Sequence, residues 1–317
     1  MADQRPPRPA PSGPNHDTTF RNYTAAAASA YASSRGSYPP ALFAFILDRH
    51  QCTGGQLGRV LDVGCGPGNA LRDIAPHFDH ATGADPGEEM IATAKKLGHR
   101  TKTGEEVVWN VSGAEELVEK AGVETGTVDL LTVAMAAHWF DMPAFWKQAA
   151  QLVKPGGSVA IFTKSSYYCH PTMPNINEVQ RISDEFERTE LARYEYPGNR
   201  LCREFYKDLA LPWQAEDGGP PEFPEELFER HAWNFNGTLD GPDGEDFFGG
   251  SLTLTFPQME KLLGTTSTVQ RWREAHPDLA GTDKDAIKVF LKKLEEVAGT
   301  SKIRMGMGYA LLFFKRK

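Results

Sequence analysis

Two aspartates, Asp62 and Asp85, stand on either side of a glycine loop, and the three features together suit a ligand that carries a ribose and a cation. The stretch Val60-Leu61-Asp62-Val63-Gly64-Cys65-Gly66-Pro67-Gly68 reads as a short buried strand running into the loop, and the loop runs into a helix from Asn69 to Phe78. Alternate glycines, Gly64, Gly66 and Gly68, let the backbone turn sharply and approach a ligand closely. The following helix start offers free N–H groups. A dinucleotide site shows G-x-G-x-x-G, whereas this loop is G-x-G-x-G with an acid two residues ahead of it. Asp85 ends the run Ala81-Thr82-Gly83-Ala84-Asp85, 17 residues past Gly68, where a carboxylate can accept from both ribose hydroxyls. The set has two acids and no phosphate-binding lysine. It therefore suits ribose hydroxyls plus an ammonium without phosphate, and S-adenosylmethionine is such a ligand.

Further groups could act on a second molecule. His138 and Trp139 fall just past a strand, Val128–Ala134. An indole attracts a sulfonium by cation–π interaction, although packing alone would also account for Trp139. An imidazole such as His138 could take the proton from a hydroxyl nucleophile, or serve as a shape and hydrogen-bonding residue. A carboxylate nucleophile is already ionised and needs no base. Its transfer then depends on alignment and exclusion of water. Arg35 could present its planar fork to the ligand's carboxylate. Arg200, after the Pro197-Gly198 turn, is the candidate anchor for an anionic acceptor, with Arg193 and Arg203 as neighbours.

The elements that must position these groups follow an alternating pattern. Residues 1–17 are Pro-rich and polar, with disorder as the expectation. An Ala-rich helix spans Thr24–Ala32, and a second spans Ala41–His50 behind Pro39-Pro40. Strands follow at Arg59–Val63, Thr82–Asp85, Val107–Val111, Val128–Ala134 and Ser158–Thr163. Helices lie between them from Asn69, from Glu88 to Leu97, from Ala114 and from Pro143 to Leu152. Five β-α units demand an α/β doubly wound, mostly parallel sheet with helices on both faces. Residues 166–250 break the alternation and read as an insertion with helices near Glu178–Leu191 and Arg203–Leu209. A strand Leu227–Phe235, helices Pro257–Leu263 and Asp285–Val297, and a final strand Ile303–Phe314 follow. Two late strands could pair antiparallel at the sheet edge.

The 317 residues carry a net charge of −8, which argues against nucleic acid or anionic membrane as the main partner. Cys52, Cys65, Cys169 and Cys202 show no metal-ligand spacing, so reduced thiols and no metal are expected. The expectation is a cytoplasmic enzyme, since no apolar run reaches transmembrane length and the first residues lack an apolar core.

Three further segments carry a family resemblance. Tyr31-Ala32-Ser33-Ser34-Arg35-Gly36-Ser37-Tyr38-Pro39, Ala137-His138-Trp139-Phe140-Asp141 and Tyr196-Pro197-Gly198-Asn199-Arg200-Leu201 resemble segments of the fungal trans-aconitate methyltransferase group, within the class I S-adenosylmethionine-dependent methyltransferases. Gly36, the segment Ser112-Gly113-Ala114-Glu115, which lacks an acid before its alanine, and Thr266 depart from the group's pattern. The resemblance implies a Rossmann-like, seven-stranded sheet with an antiparallel edge pair. It implies five segments: the tail 1–17, a helical cap over the cofactor at 18–56, the cofactor-binding core at 57–165, a helical lid at 166–250, and a completing segment at 251–317. It places Tyr31, Arg35, Asp62, Gly64, Gly66, Gly68, Asp85, Met90, Ala114, Glu115 and Ala134 on the cofactor, although Met90 also suits a core position and Glu115 a solvated helix start. Tyr38, Trp139 and Arg200 fall on the acceptor side and His138 at the chemistry. The implied activity is O-methylation of a small carboxylic acid such as trans-aconitate, by a monomer or weak dimer. A hydroxyl or amine acceptor is the alternative, and a non-catalytic regulatory protein that binds S-adenosylmethionine is the remote one.

Overall fold

The computed structural model describes residues 24–25, 28, 32, 37–215 and 218–317, which divide into two compact units. One unit contains residues 37–165, 201–215, 218–232 and 309–317; the other contains 166–200 and 233–308. The strands are β1 (Arg59–Val63), β2 (His80–Asp85), β3 (Val108–Val111), β4 (Val128–Ala134), β5 (Val153–Cys169), β6 (Phe228–Trp233), β7 (Leu252–Thr255) and β8 (Lys302–Lys315). Their order is β3-β2-β1-β4-β5-β8-β6, with β7 paired to β8. The pairs β1–β2, β1–β4, β2–β3 and β4–β5 are parallel, and β7 runs antiparallel to β8 with Leu252 opposite Met305. The fold is thus the expected α/β doubly wound, mostly parallel sheet with an antiparallel edge pair.

The helices are α1 (Pro40–Cys52), α2 (Leu71–Ile74), α3 (Glu88–Leu97), α4 (Leu117–Lys120), α5 (Met142–Leu152), α6 (Ile176–Glu185), α7 (Pro197–Arg203), α8 (Phe256–Leu263), α9 (Ser267–Ala275) and α10 (Ala286–Ala298). Their ends follow local chemistry. Glu88 and Glu89 sit in the first turn of α3 and Lys95 and Lys96 in its last, which suits the helix dipole at both ends. The Asp141 side chain accepts from the Ala144 N–H to start α5.

All of β1 beyond Arg59, and β4 up to Val133, is buried, as the centre of a parallel sheet covered on both faces must be. The chain steps from β1 to β2 and β3 on one side, then crosses to β4 and β5 on the other. Ligands bind beyond the carboxyl ends of strands at such a reversal. Beneath it, Trp146 packs against Phe223 and Phe314 with ring centroids 5.6 and 4.6 Å away. The other unit has its own core, in which Val179 and Ile182 of α6 join Ile287, Phe290 and Leu294 of α10.

Several expectations are corrected. The sheet has eight strands instead of seven; β7 is four residues long, too short for a period-two pattern to stand out. Strand β5 runs for 17 residues, because Lys154–Gly157 stays in the sheet at a register shift beside β4 and pairs through Gly156 and Gly157 with Arg316. The helix expected at Arg203–Leu209 instead starts at Pro197, a favoured first position, and gives way to left-handed Phe205 and Tyr206. The expected 166–250 lid is not one body: residues 201–215 and 218–232 belong with the glycine loop, and 233–250 with 251–308. All four cysteines are free. No helix among the described residues is long and apolar enough to cross a membrane.

Candidate active site

The glycine loop is fastened to β2 by backbone and side chain together. The N–H groups of Gly64 and Cys65 donate to the Ala84 carbonyl at 2.8 and 3.1 Å. The Gly66 N–H donates to Asp85 Oδ2 at 2.9 Å, and the Gly87 N–H to Asp85 Oδ1 at 2.8 Å. Each carboxylate oxygen has further acceptor capacity, so Asp85 can hold the loop and also meet two ribose hydroxyls. Gly64 has φ 68°, and a Cβ there would lie 2.4 Å from the Cβ of Ala136. At Gly66, φ 53°, a Cβ would meet nothing within 4 Å, so that residue borders open space.

That space is a cavity lined by Tyr38, Gly64, Cys65, Gly66, Pro67, Asn69, Ala70, Asp85, Pro86, Met90, Ala114, Glu115, Ala134, Met135, Ala136, Trp139 and Phe140. It lies at the carboxyl ends of β1, β2 and β4. Nine of the sequence-predicted residues meet here: Tyr38, Gly64, Gly66, Asp85, Met90, Ala114, Glu115, Ala134 and Trp139. Glu115 is half-buried; its Oε1 accepts from the Asp141 N–H at 2.9 Å and ties the turn after β3 to the start of α5. Gly68 and Asp62 stand behind the lining. Gly68, φ 90°, leaves room for Trp109, which a Cβ would approach to 2.5 Å. Tyr31 and Arg35 lie outside the described residues. Arg200 is exposed on α7, in the other unit, and is not among the lining residues.

Sequence reasoning missed Met135 and Phe140 as lining residues. Phe140 was legible in its Ala137–Asp141 motif. Met135 adopts φ 55°, a conformation that no methionine advertises. Its Sδ accepts from the Lys164 N–H at 2.9 Å and the Thr163 hydroxyl at 3.1 Å. Lys164 was also missed; its Nζ sits 4.3 Å from the centroid of the Tyr38 ring.

His138 is buried, and the structure does not bring it to the cavity. Its Nδ1 shares a hydrogen bond with the Tyr206 hydroxyl at 2.8 Å, and Cys202 Sγ lies 3.1 Å away. Burial pushes its pKa down to about 3, so the imidazole is neutral at physiological pH. The expected role as a base at the chemistry is thereby displaced: the ring supports the wall instead of forming it.

Asp62 is fully buried in β1. Its Oδ1 accepts from the Thr132 hydroxyl at 2.6 Å, and its Oδ2 has no donor among the described residues. Burial, opposed by the Thr132 bond and reinforced by the charge of Asp85, pushes its pKa up to about 7. An orphaned carboxylate oxygen behind the loop, acceptors at Asp85 and an apolar wall at Met90 fit S-adenosylmethionine with its ammonium, ribose and adenine. When bound, this molecule supplies an electrophilic methyl group on a sulfonium.

The raised pKa of Asp62 makes a signed prediction. A carboxyl held above its ordinary value contributes stability that is full below the ordinary carboxyl range of about 4 and is lost as pH rises from there through about 7. An ammonium requires the ionised form. S-adenosylmethionine affinity should therefore rise with pH up to about 7 and then level, with proton release on binding near about pH 6. Calorimetry in two buffers of different ionisation enthalpy measures that release. Asp62→Asn should abolish it, and equal heats in both buffers for the unsubstituted protein would refute the assignment.

Comparisons with known proteins agree with this geometry. Residues 61–161 match the family described as methyltransferase domain. A Dictyostelium discoideum protein described as a methyltransferase is 28% identical over 193 residues, covering 61% of this chain and 66% of its own. A Saccharomyces cerevisiae protein, CRG1, described as an S-adenosylmethionine-dependent methyltransferase, is 25% identical over 152 residues, covering 48% and 49%. The chain thus spans from about half to just under two thirds of the length of these curated relatives. A solved structure described as a type II methyltransferase, from Anaeromyxobacter dehalogenans, superposes with a TM-score of 0.63 over 89% of this chain and 97% of that one, at 24% identity, which bears on fold alone. The segment from Leu61 to Ile161, with the loop, the two aspartates and the cavity between them, is a class I methyltransferase domain whose cofactor is S-adenosylmethionine.

Proposed function

We propose that this chain transfers a methyl group from S-adenosylmethionine to a carboxylate oxygen of a small acid, such as trans-aconitate or a related acid. One observation carries the choice of carboxylate: no imidazole among the described residues lines the cavity. The titratable side chains that do are Tyr38, Cys65, Asp85 and Glu115. Of these, Asp85 and Glu115 accept backbone N–H groups, and burial pushes the Cys65 thiol up well above its ordinary range. His138 is buried against Tyr206. A hydroxyl or ammonium acceptor would need a group to take its proton, whereas an ionised carboxylate would not. In this reading the residues align the acceptor oxygen and exclude water. Tyr38 and Trp139 line the acceptor side, while Asp62, Asp85, Met90 and Ala114 serve the cofactor.

The test is methyl transfer to trans-aconitate and a panel of small acids, phenols and amines, read by a mass gain of one methylene. A methyl ester, recognised by methanol release in mild alkali, is the expected product. With S-adenosylmethionine saturating, the rate should be level from about pH 6 to 8, and His138→Ala should keep that flat shape. An alkali-stable product, with a rate that rises through about pH 7 and falls about 10²–10⁴-fold in His138→Ala, would establish base-assisted transfer to a hydroxyl or amine instead.

A further inference from the structure

The wall of the cavity made by Met135, Ala136, Trp139 and Phe140 rests on a buried polar group that no mechanism given above uses. The 3-10 turn Ala137–Trp139 carries His138 inward and Trp139 to the cavity, with the two rings 4.5 Å apart. Below the turn, the Tyr206 hydroxyl meets His138 Nδ1 at 2.8 Å, and Cys202 Sγ lies within 4.0 Å of the same hydroxyl. Tyr206 is fully buried. It reaches this place through an unusual backbone, since Phe205 and Tyr206 take φ 58° and 56° in succession. Two neighbouring non-glycine residues in the left-handed region are rare, and such strain persists only where surrounding contacts over-determine it. Here the contact is Arg230 on β6. Its guanidinium Nη1 donates to the Phe205 carbonyl at 3.1 Å and to the Tyr206 carbonyl at 3.2 Å.

We infer that Tyr206, clamped by Arg230, is a positioning residue that fixes Trp139 and hence the shape of the cavity wall through its hydrogen bond to His138. The chain from surface to cavity runs Arg230, the Phe205–Tyr206 turn, Tyr206 hydroxyl, His138, Trp139. Its consequence for acceptor alignment rests on the methyl-transfer reading; the positioning itself does not.

The experiment reads Trp139 directly. The full chain is labelled with 5-fluorotryptophan, and the Trp139 fluorine resonance is assigned by its loss in Trp139→Phe. In Tyr206→Phe, which keeps the ring and removes the hydroxyl, the Trp139 line should shift or split while the Trp109 line holds its position. Arg230→Met should give the same signature. S-adenosylhomocysteine affinity, measured by calorimetry, should stay within about threefold in both variants, because the glycine loop and Asp85 are untouched. A single unshifted Trp139 line in Tyr206→Phe would overturn the assignment, as would a shift of every line with loss of S-adenosylhomocysteine binding, which is the mark of a general structural role. If the unsubstituted protein fails to bind S-adenosylhomocysteine, the methyl-transfer reading falls, and the Trp139 line still decides the role of Tyr206.

Discussion

Asp85→Ala should weaken S-adenosylmethionine binding by well over tenfold. The carboxylate acts twice: its oxygens take the N–H groups of Gly66 and Gly87, and the residue lines the cavity. Hydrogen bonds to a charged group contribute about 1.5–3 kcal/mol each, so losing two toward the ribose amounts to roughly 3 kcal/mol or more, which is over a hundredfold in affinity. The alanine also leaves the N–H groups of Gly66 in the loop and Gly87 before α3 without their acceptor, so the loop should loosen even without cofactor. Asp85→Asn keeps one oxygen and should fall between the two. Isothermal titration of all three proteins checks the order, and near-normal affinity in Asp85→Ala would remove the ribose assignment.

The second large effect is expected at Gly64. Alanine there meets two costs at once. At φ 68° the left-handed conformation costs an L-residue about 1–2 kcal/mol, and a Cβ 2.4 Å from that of Ala136 adds overpacking of about 1–3 kcal/mol. Phe140, 3.2 Å from the same point, cannot yield without deforming the cavity it lines. Gly64→Ala should therefore lower Tm by several degrees and weaken cofactor binding as well. The double variant Gly64→Ala with Ala136→Gly should recover the clash portion and leave the backbone portion. Gly66→Ala shares the positive φ without the clash and should cost less stability. A Gly64→Ala protein that melts with the unsubstituted one would show that the loop does not hold this geometry in solution.

Particular residues show where sequence was sufficient. Strands β1 and β4 and helix α3 fall at the expected residues, because continuous apolar runs bounded by glycines, and an acidic start with a basic end, are local signals. The cavity was legible for the same reason: its cofactor side sits on strand ends and the turns directly after them. What stayed hidden depends on residues distant in sequence. Tyr206 and His138 meet across 68 positions, and nothing near either names the other. The histidine therefore read as an available base, when burial makes it a neutral support. The left-handed Phe205 carries no glycine or asparagine to announce it, so Arg203–Leu209 read as helix. The length of β5 was concealed by Pro155, Gly156 and Gly157, which look like a turn and are instead held by Arg316, far along the chain.

Cys65 lends the glycine loop a property of a different kind. Cys65 borders the cavity in which an alkylating agent is to be held, and a thiolate there would compete with any acceptor for the methyl group. Burial, followed by the charges of Asp85 and Asp62, holds this thiol well above its ordinary titration range, so it stays in its poorly nucleophilic form. Burial first, and after it the two aspartates that make the site hospitable to a cation, thus also guard the protein against alkylating itself.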